Sequence, residues 1–503
     1  MNLINKITGK NIYDFVVIGA GIGGLTTAAI LSKEGYKVAL IEKNNYVGGN
    51  LSTFKRQGVT FDTGVHYSGG FDKGELFDSL FKYLGIHEKI QIQRQSIDCF
   101  DKISYLGKEY DFAQGYDLHL EKLAQHFPNY KQEISNYLQA IKDSGSVENI
   151  QSIFEKEIRV DTLGVNAYEK SKDLLKDHKL LKILTANNAL YSGVKSKTPF
   201  IVHAHVMDAY IKSSWKFING GQHIADALAD TIKNNGGQIF LGHQAKSFIY
   251  DNKNIDRVIL ENDNEIRGKH FITTIHPSLV VKMMPEKKLR KVFRNRILGM
   301  ENTMSMFSLY LVMKPEAQEF WNYNYYHFAN QETWLTETYK TNPWPQAFFM
   351  FSQLEERHQK YAKGIVLMTY MSYEEVQKWA GTNIEKRGEE YKAFKEQKTE
   401  QLLQLAEKTI PNFRSKIKSV YSSTPLTYEN YYNMPEGAPY GVIRNSQDPA
   451  ASTILPVTKT PNLILSGQSV NLHGILGVAI GSILTSSYFI GKEKLIEQFN
   501  KIS

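Results

Sequence analysis

The first strong pattern in the chain is an unbroken apolar run, Phe15 to Ile18, typical of a strand buried on both faces. A glycine-rich turn of sequence GAGIGG follows at residues 19–24, and the apolar spacing from Leu25 to Lys33 predicts a helix. Gly35 ends that helix, and Lys37 to Ile41 predicts a second buried strand. These residues therefore predict one β–α–β unit.

The later pattern changes several times along the chain. Residues 74–190 have mostly helical apolar spacing, interrupted by a hairpin predicted from Cys99 to Tyr110. Residues 215–277 predict a helix and several short strands, and the alternation Phe307-Ser308-Leu309-Tyr310-Leu311 predicts a sheet with one apolar face. A last strand is predicted at Asn462 to Ser466, before a helical segment.

The glycine-rich turn has the features of a dinucleotide-binding corner. Gly19 permits the tight turn, Gly21 lets the backbone approach a pyrophosphate, and Gly24 allows close packing of helix and strand. The bare helix N-terminus supplies an anion site. Glu42 ends the second strand, where a carboxylate accepts the hydroxyls of an adenosine ribose and would repel a 2′-phosphate.

The residues after Glu42 carry a family resemblance. GGNLST at residues 48–53 and FDTGVHY at residues 61–67 resemble the FAD-containing amine oxidase and phytoene desaturase superfamily. FDTGVHY, and GAPYG at residues 437–441, are similar to the retinol saturase and carotenoid isomerase branch. Asn50 stands where that superfamily usually has Arg, and Ser469 stands where related saturases often have an acid.

The resemblance implies an α/β fold: a Rossmann-type FAD/NAD(P)-binding domain with three-layer ββα architecture, interleaved with an α+β substrate domain. We predict the FAD-binding domain at residues 1–73, 215–285 and 457–503, and the substrate domain at residues 74–214 and 286–456. The implied cofactor is FAD, with NAD(P)H as an external reductant. The predicted cofactor-binding residues are Gly19, Gly21, Ile22, Gly23, Gly24, Glu42, Lys43, Gly49, Asn50, Leu51, Ser52, Val65, Ala245, Gly467, Gln468, Gly474, Leu476 and Gly477.

Two interpretations compete for the closing segment, residues 467–490. As a membrane span, Gly477 and Gly481 would form a dimerisation face, although the apolar stretch is at the lower length limit for crossing a bilayer. As a flavin-binding helix, its positive N-terminus would stabilise the anion formed on flavin reduction. The resemblance favours the flavin interpretation.

The composition limits the partners, the metal sites and the cellular location that we expect for the protein. The formal charge of +8 is spread along the chain without a nucleic-acid motif, so we expect no nucleic-acid partner, although attraction to anionic lipid surfaces fits. Cys99 is the single cysteine, which excludes an intramolecular disulfide and a cysteine metal site, and we predict no metal. No signal peptide is recognisable, so we expect a cytoplasmic protein, peripheral to the inner face of a membrane if it binds one.

The resemblance implies hydride exchange between the flavin and a carbon–carbon bond of a long isoprenoid or polyene. Aromatic residues make up 12% of the chain, and those of residues 286–456 are either ordinary core or the wall of an apolar tunnel. His66, with Tyr67 beside it, is the first candidate for proton transfer because imidazole titrates near neutrality, and Tyr440 is the second. The alternatives are a non-catalytic prenyl-binding protein resembling the Rab GDP-dissociation inhibitors, and a flavin amine oxidase. The sequence does not indicate an oligomeric state.

Overall fold

The computed structural model describes residues 11–147, 149–155, 160–340, 342–384 and 386–501. The strands are β1 (Ile12–Ile18), β2 (Val38–Ile41), β3 (Thr53–Arg56), β4 (Val59–Asp62), β5 (Ile92–Arg94), β6 (Asp101–Tyr105), β7 (Lys108–Phe112), β8 (Trp215–Phe217), β9 (Gln238–Phe240), β10 (Ala245–Asp251), β11 (Asn254–Leu260), β12 (Glu265–Thr273), β13 (Ser305–Met313), β14 (Asn324–Phe328), β15 (Ala347–Ser352), β16 (Gly364–Met371), β17 (Ile417–Ser423) and β18 (Leu463–Leu465). The helices are α1 (Ile22–Lys33), α2 (Leu76–Leu84), α3 (Tyr116–His126), α4 (Lys131–Gly145), α5 (Ile150–Glu155), α6 (Val160–Leu163), α7 (Ala167–Leu174), α8 (His178–Leu184), α9 (Phe200–Lys212), α10 (Gln222–Asn234), α11 (Pro277–Met283), α12 (Lys291–Leu298), α13 (Gly388–Thr409), α14 (Pro425–Tyr432), α15 (Pro449–Ser452), α16 (Gly474–Ile490) and α17 (Lys492–Asn500).

The first sheet contains the predicted β–α–β unit. Its parallel strands lie in the order β18-β12-β1-β2-β9, and the antiparallel pair β10-β11 continues from the first half of β12. Phe15 and Val17 pack with α1, α10 and α16 on one face, whereas Val16 and Ile18 pack with β10 to β12 on the other. This alternation explains the unbroken apolar run, because both faces of β1 are buried.

The second sheet has the order β17-β13-β16-β15-β14-β6-β7. The predicted hairpin is present, with Leu106 and Gly107 between β6 and β7. The prediction of a single apolar face is wrong for β13, since all nine of its residues are buried. Phe307 and Leu309 pack with α13, whereas Ser308 and Tyr310 bond to the hydroxyls of Tyr428 and Ser423 on the opposite face. The polar positions of the alternation therefore face a second packed interior, where Tyr310 contacts Phe54 and Phe61 of the β3–β4 pair.

Two further features concern the start of α1 and the possibility of a membrane-spanning helix. Helix α1 begins at Ile22, three residues before the predicted Leu25, so the last glycines of the turn are already helical. Within the described ranges, no single helix has the length and apolar character to cross a membrane; α16 and α17 meet both requirements only as a pair, bent by 118°.

Candidate functional site

In the GAGIGG corner there is room for a side chain at Gly21 but not at Gly24. Gly19 has a φ of +101°, and a Cβ atom added to Gly24 would lie 1.8 Å from the Gly19 carbonyl oxygen. Gly24 is thus required for close packing of helix and strand, as predicted. A Cβ added to Gly21 meets no atom within 4 Å. The backbone of Gly21 therefore faces open space, as expected of a residue that a pyrophosphate approaches closely.

That space is a cavity with an empty volume of about 920 Å³. Ten predicted cofactor residues line it: Gly19, Gly21, Ile22, Gly23, Glu42, Gly49, Asn50, Leu51, Gly467 and Gln468. Sequence reasoning missed the other lining residues, which are Asn44, Gly48, Thr274, Ile275, His276, Tyr432, Asn433, Met434, Gly441, Ser469, Ile475 and Val478. Most of the missed residues follow β12 or lie in loops near α14 and β18, so only the folded chain brings them to the glycine corner.

The N-terminus of α1 is suited to an anion. Its N-cap residue is Gly21, which provides no side-chain cap, and its first turn carries no acidic residue. The first amide groups of a helix have no partner within the helix, and the helix dipole adds positive potential there. A phosphate group in the cavity would accept hydrogen bonds from these amides and would be attracted by the positive potential.

Glu42 is held rigidly at the end of β2. Its Oε2 accepts a hydrogen bond from the Ala20 amide at 2.8 Å, and its Oε1 accepts one from the Asn44 amide at 2.9 Å. Each carboxylate oxygen has a further lone pair. The fixed carboxylate therefore lines the cavity next to the glycine corner, in the arrangement that binds a ribose in dinucleotide folds.

Helix α16 packs directly against the first turn of α1. The Ser482 hydroxyl donates to the Gly23 carbonyl at 3.1 Å, and a Cβ added to Gly23 would lie 2.9 Å from Val478. The N-cap residue of α16, His473, makes no side-chain capping hydrogen bond, and the first turn of α16 has no acidic residue. Most of α16 is buried in the first core. This burial supports the flavin interpretation of the segment over a membrane span.

The remaining predicted cofactor residues lie outside the cavity lining. Lys43 Nζ donates to the Asn430 carbonyl at 2.6 Å, and the Ser52 hydroxyl lies 3.2 Å from the Tyr432 hydroxyl. Val65 packs on the first core, and Ala245 follows a segment whose His243 amide donates to the Glu42 carbonyl. Gly24, Gly474, Leu476 and Gly477 lie in the first turns of α1 and α16. Their predicted contacts with a cofactor stay predictions.

The cavity fits FAD. It combines an uncapped helix N-terminus, a ribose-binding carboxylate and an open face at Gly21. The side-chain oxygen of Asn50, which stands where the superfamily usually has Arg, is buried without a hydrogen-bond partner among the described residues. A buried acceptor without a donor is costly, and a hydroxyl-bearing ligand would supply one.

The FDTGVHY segment passes from this cavity to the interior of the second sheet. A Cβ added to Gly64 would lie 3.0 Å from Asn50, and one added to Gly70 would lie 2.9 Å from Leu476 in the first turn of α16. His66 and Tyr67 lie between these two contacts. Their side chains therefore occupy the closely packed junction between the cofactor cavity and the second sheet, and we use the name junction chamber for this region.

His66 is a neutral ring in the junction chamber. It stacks on Phe351 with ring centroids 4.4 Å apart, and its Nε2 lies 3.2 Å from the Met368 sulfur. Burial, together with the positive charge of Lys216, lowers the pKa of His66 to about 3. The argument that this imidazole titrates near neutrality is therefore wrong, because burial disfavours the charged ring and Lys216 repels it.

Tyr440 faces the same chamber as three other tyrosines. Its ring centroid lies 6.2 Å from that of His473, the N-cap of α16. Burial raises the pKa of Tyr440, and its phenol in turn adds to the raised pKa values of Tyr210, Tyr326 and Tyr370. Aromatic rings and the Met368 thioether pack together in this region. These groups suit an apolar, polarisable ligand.

A buried carboxyl connects to this chamber through Tyr67. The Tyr67 hydroxyl donates to Asp101 Oδ2 at 2.8 Å and lies 2.7 Å from the Tyr326 hydroxyl. Asn324 Nδ2 donates to Asp101 Oδ1 at 2.8 Å, and Asn324 Oδ1 accepts from Lys216 Nζ at 2.9 Å. Burial raises the pKa of Asp101 to about 7 and lowers that of Lys216 to about 8.

Arg444 is a second buried group that sequence reasoning missed. Its guanidinium donates to the carbonyl oxygens of Ser452 and Ser469 at 3.0 Å and of Asn471 at 2.6 Å. Burial lowers its pKa to about 10. These bonds fix the loop that leads into α16. Asp101, Lys216 and Arg444 carry no local motif, and only their burial distinguishes them from surface charges.

The described residues contain no group of three or more histidine, cysteine, aspartate or glutamate side chains that could hold a metal ion.

Comparisons with known proteins agree with the motifs. A model of the flavin-containing amine oxidoreductase family matches residues 22–485. The all-trans-retinol 13,14-reductase of Macaca fascicularis is 24% identical over 94% of this chain and 85% of its own length. A chloroplastic prolycopene isomerase of Arabidopsis thaliana is 26% identical over 86% of this chain and 76% of its own length.

Solved structures share the fold. An oxidoreductase from Methanosarcina mazei superposes with a TM-score of 0.66 at 15% identity, covering 94% of this chain and 99% of that one. A cyclohexylamine oxidase from Brevibacterium oxydans gives 0.63 at 14% identity, covering 96% and 100%. The predicted α/β fold with a Rossmann-type FAD-binding domain is confirmed. With its cavity, its motifs and a match over most of its length, the chain belongs to the flavin-containing amine oxidoreductase family.

Proposed function

We propose that the protein is an FAD-dependent oxidoreductase that acts on carbon–carbon double bonds of a long apolar polyene or isoprenoid. The observation that carries this proposal is the junction chamber, where uncharged aromatic rings and Met368 pack between the cofactor cavity and the second sheet. The similarity to a retinol reductase over 94% of the chain supports it, and so does the similarity to a prolycopene isomerase.

Bound FAD would supply the hydride chemistry of the reaction. Glu42 would hold the adenosine ribose, and the amide groups at the start of α1 would hold the pyrophosphate. The N-terminus of α16 would place positive potential beside the flavin ring. His66 and Phe351 would exclude water from the reacting bond, since both are buried and apolar in character at neutral pH.

The decisive experiment compares substrates on one flavin-loaded preparation. Anaerobically reduced enzyme is mixed with all-trans-retinol or a mixed carotenoid extract, and oxidised enzyme is mixed in air with a panel of primary amines. A polyene product that gains two hydrogen atoms, or an isomerised polyene, supports the proposal. Hydrogen peroxide release with amines in air would favour an amine oxidase, and a protein that binds no FAD would favour a prenyl-binding protein.

The external electron donor in this proposal is NAD(P)H. Reduction of the bound flavin by NADPH or NADH under anaerobic conditions would support it. Reduction by dithionite alone, with no bleaching of the flavin by either nicotinamide, would refute it and indicate a protein donor.

Peripheral membrane binding would give such an enzyme access to apolar substrates. A surface beside α12 supports this proposal: Val292, Leu455 and Val457 are 82%, 70% and 56% exposed, and Arg290 and Lys291 are exposed next to Val292. Arg296 Nη1 donates to the Thr453 carbonyl at 2.9 Å, which joins the helix to the loop that carries Leu455 and Val457. Apolar side chains flanked by basic ones bind anionic bilayers. Sedimentation with phosphatidylserine vesicles, but not with phosphatidylcholine vesicles, is expected, and a Val292→Glu variant should lose it.

A further inference from the structure

A continuous hydrogen-bonded path runs from a buried carboxyl to the junction chamber. It begins at Asp101, which is 0% exposed, passes through the Tyr67 hydroxyl at 2.8 Å, and ends at the Tyr326 hydroxyl 2.7 Å further on. Among the described residues, Tyr67 is the one hydrogen-bond partner of the Tyr326 hydroxyl. A phenol with one partner has bonding capacity left for a ligand.

Tyr326 occupies the face of the second sheet that borders His66. In the strand register, Tyr326 lies opposite Phe349, and Phe349 lies opposite Met368. Met368 in turn contacts Nε2 of His66 at 3.2 Å. Tyr326 therefore lies in the same row of side chains as Phe349 and Met368, on the face of the sheet that contacts His66.

We propose that Asp101, Tyr67 and Tyr326 form a buried proton path, in which Tyr326 exchanges a proton with a substrate carbon; this inference rests on the proposed function. Tyr326 is then the catalytic residue, and Tyr67 and Asp101 are positioning residues that act through it. Neither Asp101 nor Tyr326 belongs to a sequence motif, whereas Tyr67 closes the FDTGVHY motif.

The protonation state of Asp101 sets the direction of the path. An ionised Asp101 accepts from Tyr67, so Tyr67 accepts from Tyr326, and the last proton of the chain points away from the chamber. A protonated Asp101 donates to Tyr67, Tyr67 donates to Tyr326, and the Tyr326 hydroxyl is free to donate to a ligand. Because burial raises the pKa of Asp101 to about 7, both directions are accessible near neutral pH.

The charged and titratable groups around Asp101 come from several elements. Burial raises the pKa of Asp101, whereas hydrogen bonds from Asn324 and Tyr67, and then the charge of Lys216 on β8, lower it. The charge of Asp62 on β4 acts in turn on Lys216. Burial raises the pKa of Asp62 to about 7. Tyr210 on α9 packs on Tyr67 with ring centroids 4.6 Å apart, and the buried thiol of Cys99 lies two residues from Asp101. Asp62 is therefore the second carboxyl that a titration must separate from Asp101.

The step balances for reduction of a double bond. The π bond breaks, one carbon receives a hydride with its electron pair from the reduced flavin, and the neighbouring carbon receives the proton of Tyr326. Tyr326 recovers a proton from Tyr67, Tyr67 from Asp101, and Asp101 from water. The substrate is reduced, the flavin is oxidised, and the protein returns to its starting state after one proton uptake from solvent.

The kinetic test uses reduced holoenzyme mixed with all-trans-retinol in a single turnover. Tyr326→Phe should lower the rate of flavin oxidation by about 100-fold or more, the usual contribution of a general acid. Tyr325→Phe is the matched control. Tyr325 is the neighbouring residue on the strand, and it packs in the core on the other face of the sheet. Its hydroxyl donates to Glu109 at 2.8 Å, so the control also removes a bonded phenol hydroxyl. The control should react at the wild-type rate. A Tyr326→Phe enzyme as fast as this control overturns the proposal.

The pH dependence separates a proton path from a structural role. The wild-type rate should fall as pH rises through about 7, because Asp101 loses the proton that directs the path. Asp101→Asn should be slow and independent of pH in that range, and Tyr67→Phe serves if the asparagine variant does not fold. An unchanged pH profile in both variants overturns the proposal.

A substrate-free measurement keeps this inference distinct from the proposed function. Infrared spectra of the holoenzyme should contain protonated-carboxyl bands that disappear as pH rises through about 7, one lost in Asp101→Asn and another in Asp62→Asn. Absence of any band assignable to Asp101 overturns the proton path, whatever the substrate. A wild-type enzyme with that band that neither reduces nor isomerises a polyene instead overturns the proposed function.

Discussion

Replacing Gly21 with alanine should separate cofactor binding from folding. Gly21 has φ −71° and ψ 177°, which alanine adopts without strain, and its added Cβ meets no protein atom within 4 Å. As an N-cap change it costs up to about 1 kcal/mol. The reduced freedom of the unfolded chain returns about 0.4–1 kcal/mol. We therefore expect the apoprotein to unfold at nearly the wild-type temperature.

The same methyl group should weaken FAD binding strongly. It occupies the space through which a pyrophosphate would reach the first amides of α1. Loss of one hydrogen bond to a charged group costs about 1.5–3 kcal/mol. At 1.4 kcal/mol per factor of ten, the Kd for FAD should rise by roughly 10- to 150-fold.

The assay measures the flavin content of the purified protein, the Kd for FAD from titration of the apoprotein, and the apoprotein Tm. Gly24→Ala is the contrasting variant, because its Cβ would lie 1.8 Å from the Gly19 carbonyl oxygen and should lower the Tm itself. A Gly21→Ala protein that binds FAD with wild-type affinity would refute the placement of the pyrophosphate at this corner.

Glu42→Gln keeps the size of the side chain but removes its charge, so the Kd for FAD should rise by about tenfold or more in the same titration, and unchanged affinity would contradict a ribose contact. His66→Phe should leave the shape of the pH–rate profile unchanged between about pH 5 and 8, since the ring is neutral there; an altered profile would show that the imidazole titrates. Arg444→Met should lower the Tm of the apoprotein, because the carbonyls of three loop residues lose their donor at about 1–3 kcal/mol each, whereas Arg444→Lys should recover part of the loss. Burial lowers the pKa of His203 to about 3, so its stabilising contribution is complete above about pH 6.5 and is lost as pH falls towards 3. By pH 4.5 about 3 kcal/mol has been lost, at roughly 1.4 kcal/mol per pH unit, so His203→Gln should show a shallower decline in Tm from pH 6.5 to 4.5, and equal slopes would contradict this.

The adenosine end of the site could be predicted because the residues that form it lie close together in the sequence. Gly19, Gly21 and Glu42 need only one β–α–β unit to come together, and each has a backbone or charge requirement that few other residues meet. The resemblance then extended the prediction to FAD and to the polyene class of substrate.

The reactive end could not be predicted in the same way. Tyr67 was a candidate because of its motif, but Asp101 and Tyr326 come from a hairpin and a strand that meet Tyr67 only in the folded chain. Their importance depends on burial, which changes the proton affinity of ordinary side chains and leaves no spacing pattern in the sequence. His66 shows the opposite error: its motif was informative, but its surroundings remove the property for which it was chosen.

The bond between Ser482 and the Gly23 carbonyl joins residues 459 positions apart. Glycines near the beginning of the chain and a helix near its end thus share one wall of the cavity, while most of the second sheet is formed from the residues between them. Bringing the ends of so long a segment together costs chain entropy. Ile475 and Val478 of α16 line the cavity. The cofactor cavity is therefore completed only when α16 docks, so FAD capture reports complete folding. Flavin content then becomes a measure of the correctly assembled fraction in any preparation or variant library.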